Sequence, residues 1–255
     1  IIGDLWNNYD DSDRSFLIDG YRYTLPSIGV ENSLTKFLID KSNKNDIGIY
    51  TDYLYDFTYF LSDKRKSNLL ICKMRKQELR KIYKQKRKKL SAFEIDCCQE
   101  NIYQQVFKID FHKINTIHIF LSIERLLEVN TNPIIDFLLL KNKIIVVSVS
   151  DFSRNTLTHF LFDRKTKLKV NSYGIPEPVN GIEIDPEKID LVFVPLLISD
   201  EKNYRVGYGK GFYDRFLSEC RSDVKTIGLN FFKPIDCIED VNEFDIPLNQ
   251  VIYPK

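Results

Sequence analysis

The chain has 255 residues, 43% of them hydrophobic and 29% charged, so it reads as globular and long enough for one well-buried α/β domain plus a further segment. A formal net charge of +1 argues against a dedicated nucleic-acid or membrane-surface binder, and apolar runs such as 134–140 and 144–149 are too short to span a bilayer. Five cysteines (Cys72, Cys97, Cys98, Cys220 and Cys237) with no Cys-x-x-Cys spacing exclude a disulfide framework or a structural zinc and point to a reducing compartment.

The first apolar residues are followed at once by Asp4 and the polar run 7–11, which is no secretory pattern, so a cytoplasmic protein is expected. Residues 1–60 are rich in Asp, Asn and Tyr, whereas 75–89 is strongly basic, and the only methionine is Met74. These shifts place a boundary near 64–74. Residues 1–73 form a segment of unknown function, read either as a fused fragment or as an upstream extension. Patterned stretches at 34–39, 47–50 and 53–61 give it some capacity to fold.

From Met74 onward helices and strands alternate. Residues 75–90 and 92–107 carry helix formers without Gly or Pro, and Ser91 suits an N-cap for the second. A short apolar run at 114–121 reads as a buried strand. Asn132 and Pro133 open a helix to Leu140, with the proline at its first position. Strands follow at 144–149 and 157–162, and 173–178, punctuated by Gly174, Pro176 and Pro178, reads as loop. Residues 189–195 form a further strand, 212–220 a helix, and 226–229 and 250–253 the last strands. This order argues for an open, largely parallel sheet covered on both faces.

The stretch richest in chemistry is NYRVGYGKGFYDR at 203–215, where Gly207, Gly209 and Gly211 recur at every second position before a helix. Such glycines let backbone N–H groups approach an anion, the helix N-terminus favours phosphate, and Lys210 and Arg205 add positive charge. The alternative is a tight turn whose glycines serve only close packing. The loop is neither a Walker A motif nor a Rossmann fingerprint. Asp214 fits either a first-turn carboxylate at the helix dipole or a magnesium ligand beside a nucleotide. The nine cations of 75–89 fit a solvated basic helix as well as a binding surface. His112, His118 and His159, and Cys97 and Cys98, read as packing residues.

Arg205-Val206-Gly207-Tyr208-Gly209-Lys210-Gly211-Phe212-Tyr213-Asp214-Arg215 resembles the RLGxGxGYYDR motif of the 5-formyltetrahydrofolate cyclo-ligase family. Three segments agree in the same order: Lys76-Gln77-Glu78-Leu79-Arg80, Phe120-Leu121-Ser122 with Glu128-Val129-Asn130-Thr131, and Gly174-Ile175-Pro176-Glu177-Pro178. The match starts at Met74 and leaves out residues 1–73. The resemblance implies a three-layer α/β/α fold with an open, mostly parallel sheet. It also implies ATP- and Mg²⁺-dependent closure of 5-formyltetrahydrofolate to 5,10-methenyltetrahydrofolate, in a cytoplasmic protein that is a monomer or a dimer and binds neither membrane nor nucleic acid. ATP would phosphorylate the formyl oxygen, N10 would attack the activated carbon, and phosphate would leave.

By the same resemblance, Lys76 and Arg80 meet ATP together with Arg205, Val206, Gly207, Tyr208, Gly209, Lys210, Gly211, Phe212 and Tyr213. Leu121, Glu128 and Tyr208 to Phe212 meet the folate. Asp214 and Asp245 are the metal candidates, with Asp200 a weaker one, and Lys210, Arg205 and Tyr213 the catalytic candidates. Alanine at Lys210 or Arg205 is expected to weaken ATP use with the fold intact. The chain departs from the family at Asn203, where a glycine is usual, and at Ile198-Ser199, and Glu124 stands near enough to compete with Glu128. Two other classes remain open: a different ATP- or phosphate-ester-using α/β enzyme with this loop, and a nucleic-acid binder working through 75–89.

Overall fold

The computed structural model describes residues 9–10, 15–18, 21–24 and 74–255. The chain divides into two compact units, residues 1–70 and 71–255. In the first, β1 (Tyr9–Asp10), β2 (Ser15–Ile18) and β3 (Tyr21–Thr24) form an antiparallel meander, with Phe16 opposite Tyr23 and Leu17 opposite Arg22. The patterned stretches at 34–39, 47–50 and 53–61 lie outside the described residues.

The second unit begins with α1 (Lys76–Lys89) and α2 (Ala92–Val106). Ser91 caps α2 as its sequence implies: its hydroxyl accepts from Glu94 N at 3.2 Å, and Glu94 accepts from Ser91 N at 2.7 Å. There follow β4 (Thr116–His118), α3 (Asn132–Leu140), β5 (Ile144–Asp151), β6 (Thr156–Phe162), β7 (Leu168–Val170) and β8 (Pro176–Pro178). The chain ends with β9 (Leu191–Pro195), β10 (Ile198–Ser199), β11 (Arg205–Val206), α4 (Phe212–Glu219), β12 (Lys225–Leu229) and β13 (Gln250–Ile252).

Six strands make the central sheet in the order β13-β12-β9-β4-β5-β6, every neighbouring pair parallel except β5 with β6. Alternate side chains of each buried strand feed opposite faces. Ile145, Val147, Leu191, Phe193, Ile227 and Leu229 pack with Ile102 and Val106 of α2 and Ile134, Ile135 and Leu138 of α3. Val146, Val192 and Val194 pack with Phe216 and Leu217 of α4. The result is the three-layer α/β/α arrangement with a mainly parallel sheet. A third cluster seats Leu79 and Tyr83 of α1 on Leu197, Ile198 and Val206.

Three details differ from the sequence reading. Strand pairing at 114–121 is confined to Thr116–His118, although Ile119 and Phe120 are buried beyond it. Asn132 takes the first helical position of α3, with Thr131 as N-cap, which moves Pro133 to the second. Residues 173–178 are not all loop, because Pro176–Pro178 pairs antiparallel with Leu168–Val170; prolines are tolerated there in a two-stranded ribbon outside the main sheet. No helix of the described residues is long and apolar enough to cross a membrane.

Candidate active site

The glycine stretch is reached through a hairpin and not directly from the central strand. After β9 the chain turns through β10 and β11, with Ile198 opposite Val206. Asp200 builds the turn: its carboxylate accepts from Lys202 N at 3.0 Å, Tyr204 N at 2.9 Å and Ile238 N at 3.2 Å. Buried and outside the cavity described below, Asp200 is a structural residue and not a metal candidate. Asn203 takes φ 63°, the left-handed conformation that asparagine tolerates better than most residues, so the turn expected to need glycine forms.

Gly209 (φ 93°) and Gly211 (φ 69°, the N-cap of α4) both need positive φ. A Cβ on Gly209 would lie 2.9 Å from the Arg80 guanidinium carbon, and one on Gly211 3.0 Å from an Arg215 nitrogen. At Gly207 the position of a Cβ meets nothing within 4 Å, so the bare backbone there faces open space. Arg215 braces the end of the loop, donating to Asn155 O at 2.7 Å and to Lys210 O.

Around this loop lies a cavity of about 640 Å³, within the usual size of a small-molecule site. Lys76, Arg80, Leu121, Glu128, Arg205, Asp214, Asp245 and every loop residue from Gly207 to Tyr213 line it. Val206 does not: it is buried in the cluster beneath α1, because strand alternation turns it away from the side of Arg205. Glu124 sits exposed on a 3₁₀ turn (Glu124–Leu126) and does not line the cavity, whereas Glu128 does.

The cations of α1 are sorted by helical spacing. Lys76, Arg80 and Lys84 stand four apart on the row that lines the cavity. Lys76 pairs with Asp245, and Arg80 Nε donates to Gly207 O at 2.9 Å. The neighbouring row, Leu79, Tyr83 and Arg87, is buried. Four of the nine basic side chains are therefore committed to the cavity or the core, which a simple solvated helix would not show.

Arg205 is nearly buried and tethered: one guanidinium nitrogen donates to Ile246 O at 2.5 Å and another to Asp214 Oδ1 at 2.8 Å. Burial pulls its pKa down, while Asp214 and Asp245 oppose the shift. Asp214 also accepts from Ile246 N at 3.3 Å. The two carboxylates predicted for a metal thus flank one guanidinium. Among the described residues no three His, Cys, Asp or Glu side chains form a metal cluster. Two carboxylates facing a cavity nevertheless suit magnesium, which keeps its remaining ligands as waters and phosphate oxygens.

Glu128 is buried, and desolvation raises its pKa against the pull of Tyr208, the hydrogen bond from Ile123 N and the charges of Arg87 and Arg125. The preceding Leu127 holds φ 49°, a strained conformation for a branched side chain, as the chain leaves the 3₁₀ turn. Tyr213 is half-buried on the cavity wall, and desolvation there pushes its pKa up.

Several lining residues escaped the sequence reading. Phe152 stacks on Tyr173 (centroids 3.9 Å apart, planes at 20°) and meets Phe212 edge-on at 5.3 Å. Arg125 Nε donates to Tyr173 O at 2.8 Å. His118 Nε2 and His159 Nδ1 share the Ser148 hydroxyl at 2.7 and 3.0 Å, with His118 and Ser148 on the cavity wall. These side chains come from strands and loops distant in sequence, and no spacing signal joins them.

Comparison with known proteins points to one family. The pattern of the 5-formyltetrahydrofolate cyclo-ligase family matches residues 72–254. A probable 5-formyltetrahydrofolate cyclo-ligase of Schizosaccharomyces pombe is 28% identical over 174 residues, 66% of this chain and 84% of the relative. The 5-formyltetrahydrofolate cyclo-ligase of Escherichia coli K12 is 30% identical over 146 residues, 55% of this chain and 79% of the relative. The structure of a 5,10-methenyltetrahydrofolate synthetase from Mycoplasma pneumoniae superposes with a TM-score of 0.57 at 26% identity, covering 71% of this chain and all of that one. That of the Aquifex aeolicus synthetase gives 0.59 at 28%, covering 69% and 88%.

Proposed function

The chain belongs to the 5-formyltetrahydrofolate cyclo-ligase family, and on that premise we propose that residues 74–255 convert 5-formyltetrahydrofolate and ATP to 5,10-methenyltetrahydrofolate, ADP and phosphate, with Mg²⁺, in the cytoplasm. The observation that carries the reading is the single cavity lined at once by the α1 cations, the glycine loop, Glu128 and the Asp214–Asp245 pair. Gly207 supports the anion-cradle reading over packing alone, since its missing side chain leaves space that no part of the described chain fills.

In this reaction the formyl oxygen takes a phosphoryl group, N10 attacks the formyl carbon, and phosphate departs as the ring closes. Such chemistry asks the protein for position and charge and not for a nucleophile. Lys76, Arg80 and Lys210 hold the phosphates, and the open backbone of the glycine loop lets them approach. Asp214 and Asp245 would hold the magnesium, which would supply charge neutralisation for the phosphates. Arg205 keeps Asp214 in place. Glu128 accepts hydrogen bonds from N–H groups of the pterin, and Leu121 and Phe212 supply apolar contact. The enzyme works as a monomer or a dimer on this reading, and residues 1–73 are assigned no function.

Purified chain incubated with ATP, Mg²⁺ and 5-formyltetrahydrofolate is expected to develop the absorbance of the methenyl product. Folded protein that forms ADP without that chromophore would redirect the reading to another ATP-using enzyme with the same loop.

A further inference from the structure

The buried row of α1 contains an anomaly. Leu79 and Tyr83 pack as such a row requires, but its third member is Arg87, 2% exposed. Burying a guanidinium costs several kcal/mol, and an apolar residue of similar volume is commonly as stable or more so. Its Nε has no partner among the described residues, so the site is not built to satisfy the whole group. The two terminal nitrogens are engaged: one donates to Leu196 O at 2.6 Å, the other to the Tyr208 hydroxyl at 3.2 Å. The Tyr208 hydroxyl and the Glu128 carboxylate line the same cavity and interact electrostatically.

The polarity along Arg87, Tyr208 and Glu128 is fixed by chemistry. A guanidinium only donates and a carboxylate only accepts, so the tyrosine proton points at Glu128. Charge at both ends strengthens each link. Tyr208 lies between Gly207, whose carbonyl is held by Arg80, and Gly209, against which Arg80 packs. Arg80 and Arg87 stand seven residues, two turns, apart on α1, so one helix grips the same loop residue from two sides.

We propose that Arg87 is a positioning residue for folate recognition: through the Tyr208 hydroxyl it holds the Glu128 carboxylate in the geometry that receives the pterin N–H groups. The inference rests on the reading of Glu128 as the folate contact. The charged and titratable groups facing Glu128 are Arg87 from α1, Arg125 from the 3₁₀ turn, and Tyr208 and Tyr213 from the glycine loop and α4; the N–H of Ile123 adds a 2.9 Å hydrogen bond. Lys84 Nζ lies 5.5 Å from the centre of the Tyr208 ring. Burial works against the ionised carboxyl and these donors work for it.

The test is steady-state kinetics of the full chain with both substrates from pH 5 to 9. Tyr208→Phe, which removes one hydroxyl, is expected to raise KM for 5-formyltetrahydrofolate at least about tenfold, several times more than KM for ATP. Arg87→Met is expected to move the acid limb of the folate kcat/KM profile up by about one pH unit or more, as loss of a close opposite charge does. Arg87→Lys keeps the charge and is expected to restore that limb. If Arg87→Met does not fold, the acid limb of Tyr208→Phe decides instead. An unmoved limb, or equal losses for both substrates, overturns the proposal and leaves Arg87 a strut between α1 and Leu196. Glu128→Gln separates the premise: unchanged folate KM in that variant shows that Glu128 does not touch the folate, whatever Arg87 does.

Discussion

Lys210 and Arg205 look alike in the sequence, two cations flanking the same glycines, yet the structure gives them different work. Lys210 is exposed at the cavity and its ammonium has no ion pair among the described residues, whereas the Arg205 side chain is 6% exposed and bound to Asp214 and Ile246. Lys210→Ala is therefore expected to reduce kcat/KM for ATP by about a hundredfold or more without changing the urea midpoint. Arg205→Ala strands Asp214 and the Ile246 carbonyl, so it is expected to cost about 3 kcal/mol of stability as well as activity. The expectation that both alanines leave the fold intact thus divides, and comparing urea unfolding of the two variants tests the division. Equal midpoints would mean that Asp214 finds another partner once Arg205 is gone.

Among the elements, β12 is the most tightly fitted. It lies inside the sheet, between the edge strand β13 and β9, and carries Gly228 where a Cβ would meet Leu196 at 2.6 Å, Leu248 at 2.8 Å and Val251 at 3.3 Å. Gly228→Ala is expected to destabilise by about 1–3 kcal/mol through overpacking, seen as a lower thermal midpoint with KM values little changed. A midpoint at or above the parent would show that the three side chains rotate away freely. Elements of this kind were legible in the sequence because local signals and packing agree: the capping box of α2, the β-branched runs of β5, β9 and β12, and the helix formers of α1 coincide with the observed bounds to within a few residues. Where they disagreed, pairing between distant segments decided. Residues 176–178 are read locally as loop because of their prolines, but the partner strand at 168–170 makes them a strand. The cavity was legible in the same measure. Lys76, Arg80, Leu121, Glu128, Asp214 and Asp245, which the family resemblance pointed to, line the cavity, while Val206, taken from the same motif, is turned away from it by strand alternation. Arg87, Phe152, Tyr173 and the Ser148 histidine pair were missed because each meets its neighbours only through the fold.

The acid response of the whole unit is expected to come largely from two buried histidines, one of them on the cavity wall. His118 of β4 and His159 of β6 flank Ser148 of β5 on the sheet face beneath α4, with Phe216 edge-on to His118 at 4.7 Å and tilted against His159 at 4.0 Å. One hydroxyl donates to only one imidazole, and His118 Nδ1 and His159 Nε2 are left without partners among the described residues. Burial depresses both, His118 well below the usual histidine range and His159 to about 4, with the neighbouring His159 adding to the shift at His118. A depressed folded value means that the unfolded chain binds the proton first. Above the ordinary histidine pKa of about 6.5 the pair costs nothing, and as pH falls from there toward 4 each imidazole withdraws up to about 1.4 kcal/mol per pH unit from the folded state. Glu128 acts in the opposite sense over its own range, because its raised pKa lets the folded state gain as that carboxyl is neutralised. Urea unfolding at pH 7, 6 and 5 is expected to show stability falling on the acid side. In His159→Leu, which packs against Phe216 and cannot charge, the slope is expected to lose about half its value between pH 6 and 5. A parent slope of zero, or an unchanged slope in that variant, would mean that water or a shifted α4 solvates the imidazoles, and the histidine pair would then have no part in the acid response.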